Sequence, residues 1–64
     1  MELITVYLRR VKFPKLKTTA VFVYRDRECY DLFAKFKKDI VPLPNKRRKT
    51  ITLNCNNYKV EWLD

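Results

Sequence analysis

This chain contains no glycine and no histidine, and only two cysteines and seven acidic residues among its 64. Each shortage excludes a class of chemistry. Glycine-rich loops that cradle nucleotide phosphates cannot be built without glycine. Without histidine the chain lacks the side chain that most readily moves protons near neutral pH and most often ligates metals. Two cysteines alone cannot complete the usual four-ligand structural zinc set. Asp26, Glu28, Asp31 and Asp39 fall in one segment, and the remaining acids are Glu2, Glu61 and Asp64, so the paired carboxylates of a metal-dependent nuclease are not brought together. The expectation is a non-enzyme with no catalytic residue, no metal site and no cofactor. There is no run of about 18 apolar residues, hence no expected membrane span. Nothing resembles a secretory leader, so the expected location is the cytoplasm, or the host cytoplasm for a viral protein, where thiols are usually kept reduced; a disulfide between Cys29 and Cys55 is neither expected nor excluded.

Basic residues are abundant. Fifteen Lys and Arg give a formal charge of +8. Such a field attracts nucleic acid, acidic proteins or anionic lipid and does not by itself choose among them. Apolar residues make up 47% of the chain, including four Phe, four Tyr and one Trp, which argues for a folded core rather than disorder. Residues 1–64 are enough for one small domain, which buries only about 60% of the surface its unfolded chain exposes.

Periodicity divides the chain into five segments. Glu2 to Phe13 alternates like a strand, with a phase change near Arg9 and Arg10 that a β-bulge would repair. Pro14 to Lys17 reads as a turn, and Thr18 to Arg25 as a second strand. The latter has Thr19, Val21 and Val23 on one side and Ala20, Phe22 and Tyr24 on the other, as in a central strand covered on both faces. Asp26 is a good helix N-cap, and Cys29, Leu32, Phe33, Phe36 and Ile40 recur at helical spacing until Pro42 stops the run. Thr50 to Cys55 and Tyr58 to Leu63 form a hairpin about Asn56-Asn57, pairing Cys55 with Tyr58, Leu53 with Val60 and Ile51 with Trp62. The predicted fold is α+β, in ββαββ order: a four-stranded antiparallel sheet with one helix packed on one face. Trp62 is expected to anchor the second hairpin in the core, and both cysteines to be buried. Because one helix covers only one face, a homodimer is expected to cover the other.

The densest charge is Lys46-Arg47-Arg48-Lys49, displayed after Pro42-Leu43-Pro44-Asn45. Arginines there fork onto phosphate oxygens and lysines add less directional charge. Arg9, Arg10, Lys15 and Lys17 extend the candidate surface, and the first turn would merge with the basic loop if both lie at one end of the sheet. Tyr7 is a candidate for stacking on a base, with Phe22 and Tyr24 weighed beside it as core residues. These features predict a small basic nucleic-acid-binding protein, for DNA or RNA, gripping the phosphate backbone with low sequence specificity. The alternative is an inhibitor or adaptor of phage or mobile-element type, docking its basic edge on an acidic or nucleic-acid-binding host protein.

Overall fold

The structure is a computed structural model that describes residues 3–64. Five strands, β1 (Thr5–Phe13), β2 (Thr18–Tyr24), β3 (Leu32–Lys37), β4 (Thr50–Leu53) and β5 (Asn56–Trp62), form one sheet in the order β3-β2-β1-β5-β4. β1 runs parallel to β5, and every other neighbouring pair is antiparallel. The chain is therefore all-β with one mixed, curled sheet, and the expected α+β architecture is wrong. Glu2, placed at the start of the first strand from the sequence, lies outside the described residues.

Pleating sends alternate residues to opposite faces. On the inner face of the curl, Val6 and Leu8 of β1 meet Val21 and Val23 of β2, and Ile51 and Leu53 of β4 join them. Leu8, Val21 and Val23 are fully buried, and Val6 is 1% exposed. Phe33, Ala34, Phe36, Tyr58, Val60 and Trp62 complete this core from β3 and β5. The curl brings inward side chains of β3 and β5 together, where the Phe33 and Tyr58 rings meet edge to face at 5.3 Å. Between the edges of β3 and β4, Leu43 from the connecting segment lies beside Phe36 and Ile51. Trp62 belongs to the core as expected, though against strands rather than a helix.

The segment expected to be helical is a loop followed by β3. Asp26 does cap backbone donors, but they are the amides of Tyr30 at 3.0 Å and Asp31 at 2.6 Å, too far along the chain for a helix N-cap. Those donors, Tyr30 first, hold the Asp26 carboxyl below its usual range, against a smaller opposing effect of burial. The loop closes through Arg25 N–H donating to the Asp31 carbonyl at 3.0 Å. In β3 the pairing steps from Ala34↔Val23 to Leu32↔Tyr24, leaving Phe33 as the extra residue of a bulge. The bulge turns Phe33 inward, so Phe33, Ala34 and Phe36 all reach the core. Two neighbouring inward residues followed by one two positions later imitate helical spacing.

Two further expectations fail on register. β1 and β2 pair without interruption from Tyr7↔Tyr24 to Phe13↔Thr18, so there is no bulge at Arg9 and Arg10; Arg10 instead stays on the inner face. The second hairpin turns at Asn54-Cys55, not Asn56-Asn57, and pairs Leu53 with Asn56 and Ile51 with Tyr58. The turn moves by two residues, an even number, so Ile51, Leu53, Tyr58, Val60 and Trp62 keep the face assigned to them. Cys55 becomes an exposed turn residue and Cys29 a half-buried loop residue, both free thiols rather than core positions.

With no glycine available, left-handed backbone falls to Lys17, Cys29, Asn54 and Cys55, at φ 50°, 64°, 50° and 65°. Asn tolerates this region; Cys pays a steric penalty there of about 1 kcal/mol or more. The paired positive angles at Asn54 and Cys55 are those of a type I′ turn, for which Asn-Gly is preferred. Cys55→Gly is therefore expected to stabilise the protein by about 1 kcal/mol, raising the melting temperature by about 4–8 °C in a domain of this size. An unchanged or lower melting temperature by calorimetry would contradict the left-handed assignment.

Candidate nucleic-acid interface

The outer face carries the residues that alternate with the core. Cross-strand pairing sets Tyr7 beside Tyr24, Arg9 beside Phe22, Val11 beside Ala20 and Phe13 beside Thr18. On the other side of β2, Lys35 lies beside Phe22 and Lys37 beside Ala20. The aromatic rings form a ladder. Phe22 sits 6.4 Å from Phe13 and 6.2 Å from Tyr24 between ring centres, and the Lys35 ammonium lies 5.8 Å from the Phe22 centroid. Tyr7, Phe13, Phe22 and Tyr24 are each half-buried by their neighbours, while Arg9, Lys35 and Lys37 are exposed.

No strand or helix among the described residues lies over this face, because all five strands belong to the one sheet. Its upper end opens into a hollow of about 380 Å³ lined by Phe13, Leu16, Thr18, Lys35, Lys37, Asp39 and Ile40. Two acids border the platform. Asp39 lies in that hollow, and Glu61, beside Tyr7 on β5, is paired with Arg27 at 3.6 Å. The face thus presents rings separated by cations, with one of its two carboxylates already engaged.

Burial pushes the Tyr24 phenol above its ordinary pKa, Cys29 adds to the rise by like-charge repulsion, and Arg9 draws it back. Tyr24 therefore remains a neutral ring and hydroxyl donor through the physiological range. That suits stacking rather than proton transfer.

The basic loop occupies a different place. Asn45 shapes it, its side-chain oxygen accepting from Arg47 N–H at 2.9 Å and its carbonyl from Arg48 N–H at 3.1 Å. Lys46 is tied to Asp64 by an ion pair at 3.7 Å and donates to the Asp64 carbonyl at 3.3 Å. The Lys49 carbonyl accepts from Val60 N–H at 2.9 Å, so the loop runs beside the end of β5. Arg48 borders the groove that holds Leu43.

The structure distributes the predicted site residues rather than assembling them. Lys15 and Lys17 sit at the tip of the β1–β2 hairpin, at the same end of the sheet as Lys46–Lys49. Trp62 is level with Leu8, and Phe13 lies five residues further along β1, so that tip stands about 17 Å beyond the end of β5. Arg9 and Arg10 point to opposite faces, Arg9 out among the rings and Arg10 inward, 5.7 Å from the Trp62 ring centre. Tyr7 is on the outer platform. Phe22 and Tyr24, read from sequence chiefly as core, stand there with it. Lys35 and Lys37 join them from β3, and the signal in the sequence is the alternation Lys35-Phe36-Lys37, which has strand period.

Among the described residues, no helix is long and apolar enough to cross a membrane. No family model, no curated protein and no solved structure matches the chain.

The proximity of Arg9 to Tyr24 has a measurable consequence. Arg9→Gln removes the charge that lowers the phenol's pKa, so Tyr24 is expected to titrate at still higher pH than in the parent. Following the tyrosine ring resonances by NMR through an alkaline titration reads this directly; a downward shift would mean that Arg9 does not face the ring.

Proposed function

We propose that this protein binds single-stranded nucleic acid on the outer face of its sheet, with low sequence specificity. The observation that carries the reading is the uncovered ladder of Tyr7, Tyr24, Phe22 and Phe13 interleaved with Arg9, Lys35 and Lys37. Bases offer a π-face whatever their identity, so stacking on such a ladder tolerates any sequence. The cations beside the rings are placed to meet phosphates as the strand crosses. A duplex hides its base faces in its own stack and gains only the electrostatic part. Lys15, Lys17 and Lys46–Lys49 add a positive field that raises encounter rates without selecting a sequence.

The same field supports docking on an acidic protein, but such a partner has no need of a row of rings between the cations. The aromatic ladder therefore favours nucleic acid.

Fluorescence titration with a labelled mixed-sequence single strand and its duplex is the direct test. The single strand is expected to bind more tightly, with log Kd rising against log salt at a slope of about 3 if about four phosphates are neutralised. Phe22→Ala is expected to weaken binding about fivefold to a hundredfold, the value of about one stacked base. Because Phe22 also packs against its neighbours, the exposed double variant Lys35→Glu, Lys37→Glu provides a second reading that leaves the packing alone. Equal affinity for duplex, or full affinity in both variants, would refute the proposed face. Dimerisation in sedimentation that excludes the oligonucleotide would assign this face to a second copy of the chain instead.

A further inference from the structure

The hollow at the upper end of the outer face is built between two turns. On one side, Leu16 N–H donates to the Phe13 carbonyl at 3.0 Å and Thr18 Oγ1 to the Leu16 carbonyl at 2.9 Å, which closes the tip of the β1–β2 hairpin. On the other, Lys38 N–H donates to the Thr19 carbonyl at 3.1 Å and Ile40 N–H to the Lys37 carbonyl at 3.0 Å, which ties the turn after β3 to β2. Leu16 and Ile40 line the hollow from these two turns and are 74% and 76% exposed. Large apolar side chains held open in this way around a concavity suit a ligand with an apolar surface. Phe13, the last ring of the ladder, lines the hollow as well, so its volume of about 380 Å³ continues the platform.

The polar groups narrow the choice of ligand. Lys35 and Lys37 border the hollow, and so does Asp39. Asp31, Glu61 and Asp64 are each paired with a cation, and Asp26 accepts two backbone amides. No ion pair among the described residues includes Asp39, although two lysines share its hollow. A carboxylate has the wrong sign for the backbone of a strand, but it accepts hydrogen bonds from the N–H edge of an unstacked base. Guanine alone among the common bases carries two adjacent donors, N1–H and N2–H, to match the two oxygens of a carboxylate, with O6 beside them as an acceptor for a lysine. Adenine and cytosine offer one amino group next to an acceptor ring nitrogen, and thymine or uracil one N–H between two carbonyls. Each of these sets a lone pair against the carboxylate.

We infer that this hollow takes one guanine of a bound single strand, with its N1–H and N2–H on the Asp39 carboxylate, its ring against Phe13, Leu16 and Ile40, and its O6 toward the lysines. This seating depends on the outer face binding single strands as proposed above. It adds a preference at one position, at the end of a ladder that otherwise tolerates any base.

The test uses short oligothymidine strands with one guanine at the 5′ or the 3′ end, titrated against the full chain by fluorescence anisotropy. The comparison strands are all thymine, or carry adenine, cytosine or hypoxanthine in place of the guanine. Guanine at one of the two ends is expected to tighten binding about tenfold over thymine, adenine and cytosine, as for one base held by a pair of hydrogen bonds. Hypoxanthine keeps N1–H and O6 but lacks the amino group, and is expected to fall between guanine and adenine. Asp39→Asn is expected to abolish the guanine preference while binding the all-thymine strand at least as tightly as the parent. Asp39 is exposed on a turn, and retained binding of the all-thymine strand shows that the variant is folded. Equal affinity for guanine and thymine strands, or adenine matching guanine through stacking alone, would overturn the guanine site and leave the ladder reading intact. A preference that survives Asp39→Asn would overturn it as well. Failure of every strand to bind would overturn the ladder and the hollow together.

Discussion

The parallel ladder between β1 and β5 joins the first strand to the last, and both halves of the sheet depend on it. The pairing spans Thr5↔Lys59 to Leu8↔Trp62 and is extended by Lys59 N–H to the Ile4 carbonyl and Leu63 N–H to the Leu8 carbonyl, each at 2.9 Å. Apart from it, β4 and β5 would be an isolated hairpin, which is marginal in water, and the β1-β2-β3 meander would expose its inner face. The ladder puts Val6 and Leu8 at the centre of a five-stranded sheet with neighbours on both sides. It also places the pairing at the greatest sequence separation the fold contains, a feature that slows folding because the loop entropy is lost before the contacts form.

Closing the sheet into a curl by side chains rather than by a covering helix produces its two unlike faces. Inside, the branched residues of β1, β2 and β4 pack against the rings of Phe33, Phe36, Tyr58 and Trp62, and Leu43 lies between the edges of β3 and β4. Outside, the rings of Tyr7, Phe13, Phe22 and Tyr24 remain uncovered. Phe22 and Tyr24 are therefore on the surface for the same reason that Val21 and Val23 are in the core: one residue of pleat separates them. The absence of glycine bears on the same design, since the left-handed positions at Lys17, Cys29 and Cys55 carry steric strain, and Asn54 alone tolerates it, in a domain whose whole stability is expected to be only about 3–10 kcal/mol.

Much of this was legible in the residue order, and the failures have physical causes. The β1–β2 hairpin and the two-sided apolar character of β2 follow from Pro14 and strict alternation. The inward set Ile51, Leu53, Tyr58, Val60 and Trp62 survived a misplaced turn because a two-residue displacement of the turn preserves parity. Asn56-Asn57 is the better turn dipeptide by composition, yet the turn forms at Asn54-Cys55, and Asn56 and Asn57 enter β5 opposite Leu53 and Thr52, where Thr52 Oγ1 donates to Asn57 Oδ1 at 2.7 Å. The helix was misread because the Phe33 bulge places consecutive residues on one side, and a six-residue strand is too short for its period to be told from 3.6. The parallel pairing was not legible at all, since nothing local records which strands from distant segments become neighbours.

For the candidate surface, charge was legible as quantity and not as placement. Arg9 and Arg10 are adjacent in sequence and read as one cluster, yet the pleat separates them completely. Arg9 joins Tyr7, Phe22 and Tyr24 outside, while Arg10 lies against Trp62 inside. The run Lys46–Lys49, the most conspicuous feature of the sequence, is tethered along β5, with Lys46 paired to Asp64. Lys35 and Lys37, unremarkable in the sequence, stand beside the ladder because β3 pairs with β2 and its bulge lies below them. In a sheet this small, what a cation can do is decided less by how many others adjoin it in the chain than by the parity of its strand position, which determines whether its neighbours are the rings of the outer face or the core of the inner one.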